Sequence, residues 1–194
     1  MQLVEKLTAL TAKRDHRYRL ADNFLRFWFR FVFPFQESLR SGLRPGDHYS
    51  AELAPALADH VAPVFESLCR EWVLRRHGSR ATQVGSWWGR ALDSLRADGE
   101  RTSEEIDVVA TARSRVTIVG ECKWTTAPMT VKTLADIERY KIPALRQAGA
   151  KFAKDGPLIV LFSRGGFKAN LSELAAQRDD VELVDVAQLD QGLR

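Results

Sequence analysis

Cysteine is nearly absent. Cys69 and Cys122 are the two in 194 residues, too few for the disulfide framework of a small secreted domain, which predicts a reducing, cytoplasmic setting. No apolar run reaches the roughly 18–20 residues that a membrane-spanning helix needs. The nearest, FLRFWFRFVF at residues 24–33, is interrupted by Arg26 and Arg30, so no membrane partner is expected. The opening MQLVEKLTAL has no secretory pattern, because Glu5 and Lys6 fall inside any apolar segment. Internal repeats and low-complexity tracts are missing. So is a Gly-x4-Gly-Lys-Ser/Thr phosphate loop, which excludes an ATPase of that type within this chain. His16, His48, His60 and His77 fall at no metal-binding spacing, and GSWWG at 85–89 is not the Gly-x-Ser-x-Gly of a serine hydrolase.

What is present is the composition of a globular domain, 45% hydrophobic and 28% charged. The net charge is +4. Residues 1–50 hold nine Lys/Arg against five Asp/Glu, and the other 20 and 20 cancel. Attraction to a polyanion is therefore expected to be mild and to begin in the first quarter of the chain.

LVEKLTALT and HRYRLA, joined by a turn-like AKRD, predict a hairpin. Asp22 is a candidate N-cap for a helix from Asn23 to Phe33, stopped by Pro34. That helix is apolar around most of its circumference, so it calls for cover on both flanks, from the main domain and from a partner. Gly42, Pro45, Gly46 and Pro55 mark the expected boundary between residues 1–45 and a domain over 46–194. Next come a helix from Ala62 to Arg76, with Val61, Val64, Phe65, Leu68, Trp72 and Val73 as its buried stripe, and a strand in ATQVGSWWGRAL bent at Gly85. The polar DSLRADGERTSEE reads as a loop before the hairpin strands EIDVVATA and RVTIVGECKW. A helix near Thr133–Gln147, a buried strand GPLIVLFS, a helix FKANLSELAAQR and a closing strand DVELVDVAQL complete an α/β fold with a mixed sheet.

The hairpin carries the chemistry. A turn centred on Ser114 pairs residues that sum to 228, so Asp107 faces Glu121 and Glu105 faces Lys123. The other face then reads Ile106, Val108, Ala110, Val116, Ile118, Cys122 and Trp124, a continuous apolar surface that fixes the register by hydrophobicity alone. Two carboxylates directly opposite each other destabilise a plain sheet, and a divalent cation between them reverses that sign. Oxygen ligands of this kind suit Mg²⁺ or Mn²⁺. Lys123, one step along the same face, can orient a water or meet a phosphate, and Glu66 on the preceding helix is a candidate third carboxylate.

The spacing Glu66, Asp107, Glu121-Cys122-Lys123 resembles the PD-(D/E)XK, or restriction-endonuclease-like, nuclease signature. More narrowly, RYRLADNFLRFWFRFVFP, FESLCREWV, VGSWWGR, EIDVVA and GECKW resemble the nuclease-like domain that follows the ATPase and winged-helix modules of archaeal-type AAA ATPases. The resemblance covers nearly all the chain. It implies an αβββαβ core, with Asp107, Glu121 and Glu66 as Mg²⁺ or Mn²⁺ ligands and Lys123 as a further catalytic group. It also implies a phosphodiesterase acting on nucleic acid, DNA ahead of RNA, with Lys141, Arg164 and Lys168 as candidate phosphate contacts. The hairpin and aromatic helix would be the remnant of a winged-helix module or linker, and Phe24–Phe33 the surface for an AAA ATPase module or for self-association. The rival expectation is a non-catalytic nuclease-fold module that binds DNA or docks on such an ATPase.

Overall fold

The computed structural model describes residues 3–11, 16–94 and 101–194. The expected AKRD turn lies outside the described residues, as does the middle of the DSLRADGERTSEE loop.

Strands β1 (Val4–Thr8) and β2 (His16–Leu20) pair antiparallel as the predicted hairpin. Helix α1 (Asn23–Phe27) starts where expected, its cap closed by Asp22 accepting from the Leu25 amide at 2.9 Å. Pro34 does not end the helical run. The chain widens into a π turn at Trp28–Val32 and tightens through Phe33–Phe35, where Pro34 sits in a first turn and needs no amide partner. It then continues as α2 (Gln36–Arg40). Likewise Pro45 opens helix α3 (Pro45–His48), which runs through a second π turn into α4 (Ala54–Arg76), starting eight residues before the expected Ala62.

Strand β3 (Gln83–Arg90) shows a register shift between Gly85 and Trp87, near the expected bend, but the extra residue lies in the facing strand, where Asp107 and Val108 stand against Ser86 alone. Strands β4 (Ser103–Ala112) and β5 (Arg115–Lys123) form the central hairpin. Helices α5 (Val131–Asp136) and α6 (Ile142–Gln147) are joined by a third π turn, Ile137–Lys141. Strand β6 (Leu158–Ser163) is buried at all six positions. Helix α7 (Ala169–Ala176) precedes β7 (Val181–Asp185), and helix α8 (Val186–Leu193) closes the described chain. The expected closing strand is therefore only half strand. Asp185 turns it into a helix by a capping box, accepting from the Gln188 amide at 2.8 Å while Gln188 Oε1 accepts from the Asp185 amide at 2.9 Å.

The larger sheet runs β3-β4-β5-β6-β7, antiparallel across the first three strands and parallel across the last three. The mixed α/β sheet flanked by helices, with its N-terminal hairpin, is the expected fold. Its two faces differ from expectation. Both are buried, whereas the hairpin pattern foresaw one apolar face. Val108, Ala110, Ile118 and Cys122 pack with Phe65, Cys69, Trp72 and Val73 of α4 and Leu189 of α8. Ile106 and Val116, expected on that same face, belong instead to the opposite cluster with Val109, Val119, Leu134, Ile137 and Leu145. On α4, Leu68 is exposed and Cys69 fills the position predicted for it. No helix among the described residues is long and apolar enough to cross a membrane.

Candidate active site

The register at the site comes from two local irregularities that offset each other. The turn holds two residues, Arg113 and Ser114, both with positive φ (51° and 59°), the mirror-image turn that matches strand twist. It pairs Ala112 with Arg115 and Thr111 with Val116, which sum to 227, and not the three-residue turn the alternation suggested. Thr117 is then an extra residue in β5, and beyond it Ala110↔Ile118, Val109↔Val119 and Val108↔Gly120 return to 228. The pairing ends at Val108↔Gly120, and Asp107, one of two residues of β4 set against Ser86 alone, reaches β5 through its side chain, which accepts from the Cys122 amide beside Glu121. Gly120 lets the strands close here. A Cβ on it would stand 2.8 Å from the Val160 carbonyl oxygen and 3.1 Å from Val108 Cβ.

Glu121 is buried, and its two oxygens are each taken by an ammonium group: Lys123 Nζ donates to Oε1 at 2.8 Å and Lys141 Nζ to Oε2 at 2.6 Å. The lysines differ in access. The Lys123 side chain is 46% exposed and that of Lys141 only 12%. Asp107 Oδ2 accepts from the Cys122 amide at 2.8 Å, the amide between Glu121 and Lys123. Burial, together with the neighbouring Glu121 charge, raises the Asp107 pKa from 3.8 to about 7, against the opposing pull of the Cys122 amide. For Lys123, burial works against the charged form, but Glu121 and then Asp107 outweigh it and the pKa rises. Burial and contact with Cys69 push the Cys122 thiol well above its usual range, which suits a core residue and not a nucleophile.

Glu66 faces Arg70, 3.6 Å away, and its pKa is raised mainly by burial, with Arg70 opposing. Arg70 bridges the two regions, donating to the Asp107 carbonyl oxygen at 2.9 Å. Among the described residues no group of three or more His, Cys, Asp or Glu side chains could hold a metal ion, so Glu66 does not complete a three-carboxylate cage. Glu105, expected opposite Lys123, is ion-paired to Arg17 at 2.8 Å.

Of the three residues predicted as phosphate contacts, Lys141 is the one drawn into this cluster. Arg164 stacks over Trp124 at 4.8 Å, its backbone amide tied to the Lys123 carbonyl at 3.0 Å. Lys168 is exposed at the cap of α7. Sequence reasoning passed over Ser163. It pairs with Lys123 across β5 and β6, so it lies on the same side of the sheet, and its fully buried hydroxyl has no partner among the described residues. The signal was there in the polar residue ending the apolar GPLIVLFS.

The donor chemistry fits a hard dication. Burial first, and then repulsion by Glu121, raises the Asp107 pKa, and a cation shared between the two carboxylates would offset both. Asp107 Oδ1 receives no hydrogen bond among the described residues, whereas Glu121 would have to exchange an ammonium contact.

Residues 28–138 match the family model DUF234, described as archaea bacterial proteins of unknown function. Over 133 residues, 64% of the chain, the sequence is 23% identical to the uncharacterized protein MJECL04 of Methanocaldococcus jannaschii. The match covers 27% of that protein, so the chain spans about a quarter of the length of this relative. No solved structure matches the chain.

Proposed function

This chain belongs to the DUF234 family, and from its own residues we propose that it is a divalent-metal-dependent phosphodiesterase acting on nucleic acid, DNA in preference to RNA. The observation that carries the reading is the meeting of the buried Asp107 and Glu121 of the central hairpin with Lys123 and Lys141. The resemblance to restriction-endonuclease-like nucleases adds to it. Mg²⁺ or Mn²⁺ held by Asp107 and Glu121 would supply Lewis acidity toward a phosphate oxygen and make water more acidic.

The chain's own groups then divide the work by access. Lys141, nearly buried, holds the Glu121 side chain in place. Lys123, half exposed, can leave Glu121 Oε1 and reach a phosphate oxygen or a water, where its positive charge favours the negative charge that develops on phosphorus-bound oxygen. The Cys122 amide fixes Asp107 Oδ2. With its pKa raised to about 7, Asp107 would give up a proton to bind a metal at neutral pH.

Plasmid nicking with Mg²⁺ or Mn²⁺ tests this with wild type, Asp107→Ala and Lys123→Ala. Loss of nicking in both variants is expected; equal activity in all three removes the proposal. A second reading is a non-catalytic nuclease-fold module that binds DNA or docks on an AAA ATPase module or a second copy. It draws on the exposed Phe24, Phe29 and Phe33 of the aromatic helical segment.

A further inference from the structure

At the end of the sheet far from Glu121, three segments enclose a cleft of ≈ 630 Å³. Arg80 comes from the turn after α4, Arg113 and Arg115 from the β4–β5 turn, and Lys154 from the segment before β6. All four are exposed, and among the described residues none makes an ion pair. No described carboxylate lines the cleft. Asp155, next to Lys154, lines the neighbouring cleft instead. Lys151 adds a fifth cation on the adjoining surface. Arg80 also borders that neighbouring cleft, where Asp155, Asp179 and Asp180 lie, whereas Arg113 and Arg115 share no cleft with a described carboxylate.

The walls are also fixed in place. Thr117 Oγ1 donates to the Arg80 carbonyl, pinning the turn after α4 to β5. Val116 N donates to the Lys151 carbonyl at 2.7 Å, and Ala153 N to the Val116 carbonyl at 2.9 Å, pinning the segment before β6. Arg115 Nη1 donates to the Phe152 carbonyl at 3.0 Å. Backbones held at fixed positions, and the anchored Arg115 side chain, leave less freedom to be lost on binding an anion than cations on separate mobile segments would.

We propose that this cleft binds the phosphate backbone of a nucleic acid, as a second contact remote from the Asp107–Glu121 cluster. Glu121 lies six residues from Arg115 along β5, or about 20 Å at ~3.3 Å per residue. That is the length of ~6 base pairs of a duplex rising 3.4 Å per pair. A spread of exposed cations suits a chain of phosphates better than one small anion. A membrane surface fits less well, since none of the exposed large hydrophobic residues lines the cleft for insertion. The choice of nucleic acid among polyanions rests on the phosphodiesterase reading; the cation cluster itself does not.

The test is fluorescence anisotropy of a labelled 20-base-pair duplex in EDTA, across a salt series, so that hydrolysis plays no part. The variant is Arg113→Asn/Lys154→Gln, since Asn tolerates the positive φ at 113 and neither side chain has a described partner. Circular dichroism confirms that it folds. Each lost phosphate contact lowers the slope of log K against log salt by about 0.9. The double variant should therefore flatten the slope by about 2 and bind at least tenfold more weakly near 0.1 M salt, roughly the reach of two such contacts. The control Arg40→Gln/Arg44→Gln should keep the wild-type slope. An unchanged slope in the double variant, or an equal loss in the control, overturns the proposal. So does binding of inorganic phosphate or of anionic phospholipid vesicles without binding of the duplex. Duplex binding through the cleft with no nicking under Mg²⁺ would sink the hydrolytic reading and leave the cleft standing.

Discussion

Asp107→Asn isolates the electrostatic cost of the cluster. In the native protein the Asp107 pKa rises from 3.8 to about 7, first through burial and then through the Glu121 charge. The folded state therefore holds this proton more tightly than the unfolded chain. Its contribution to stability is fully present below about pH 3.8, declines as pH rises and is lost above about pH 7. At 1.36 kcal/mol for each pH unit of that interval, the ionised carboxylate costs about 4 kcal/mol at pH 8 relative to the protonated one. Asn cannot ionise, and its side-chain oxygen can still accept from the Cys122 amide. The variant should consequently be more stable than wild type at pH 8, by up to about 4 kcal/mol, and nearly equal to it at pH 4. Urea denaturation at pH 4, 6 and 8 without divalent ions measures the difference directly. Parallel pH dependence of the two proteins between pH 4 and 8 would refute the claim that Asp107 and Glu121 share a buried, repelling site.

Lys141→Met leaves Glu121 buried with Lys123 as its one remaining cation. A loss of about 1–3 kcal/mol is expected in urea denaturation, and Glu121→Gln/Lys141→Met should lose less than the two single changes together; a neutral Lys141→Met would show that the 2.6 Å contact contributes nothing. Gly120→Ala drives a methyl group against the Val160 carbonyl and Val108, both in neighbouring strands. A cost of about 1–3 kcal/mol is expected, read as a lower urea midpoint, and an unchanged midpoint would mean that the strands are not closed as tightly as the geometry shows.

Much of the fold was legible because apolar periodicity is a local property. The LIVLFS run forms a fully buried strand, Asp22 caps α1, and the alternation in EIDVVA and TIVGE gave the register that holds from Ala110↔Ile118 to Val108↔Gly120, one residue short of Asp107 and Glu121. The prolines were misread for a physical reason. A proline lacking its amide is harmless in a helix's first turn, and both Pro34 and Pro45 occupy such turns, so the helical run continues past Pro34, where a stop was expected, and a helix opens at Pro45, where a boundary was expected. The hairpin turn was also misjudged, since a bulge at Thr117 restores what a shorter turn takes away, and alternation alone cannot see two irregularities that cancel.

The sequence by itself determined the order of the strands of the larger sheet, the apolar face carried by Val108, Ala110, Ile118 and Cys122, and the acidic residues with their following lysine. Those features depend on neighbours two to four residues apart, where spacing translates directly into direction. Tertiary structure alone decided that Lys141, twenty residues from Glu121, serves the charged cluster, because only packing chooses which helix covers which strand. It also gathered Arg80, Arg113, Arg115 and Lys154 at one end of the sheet. They come from residues 51–194, where Lys/Arg and Asp/Glu are equal in number. Net charge adds along the chain, whereas an electrostatic field is set by positions in space.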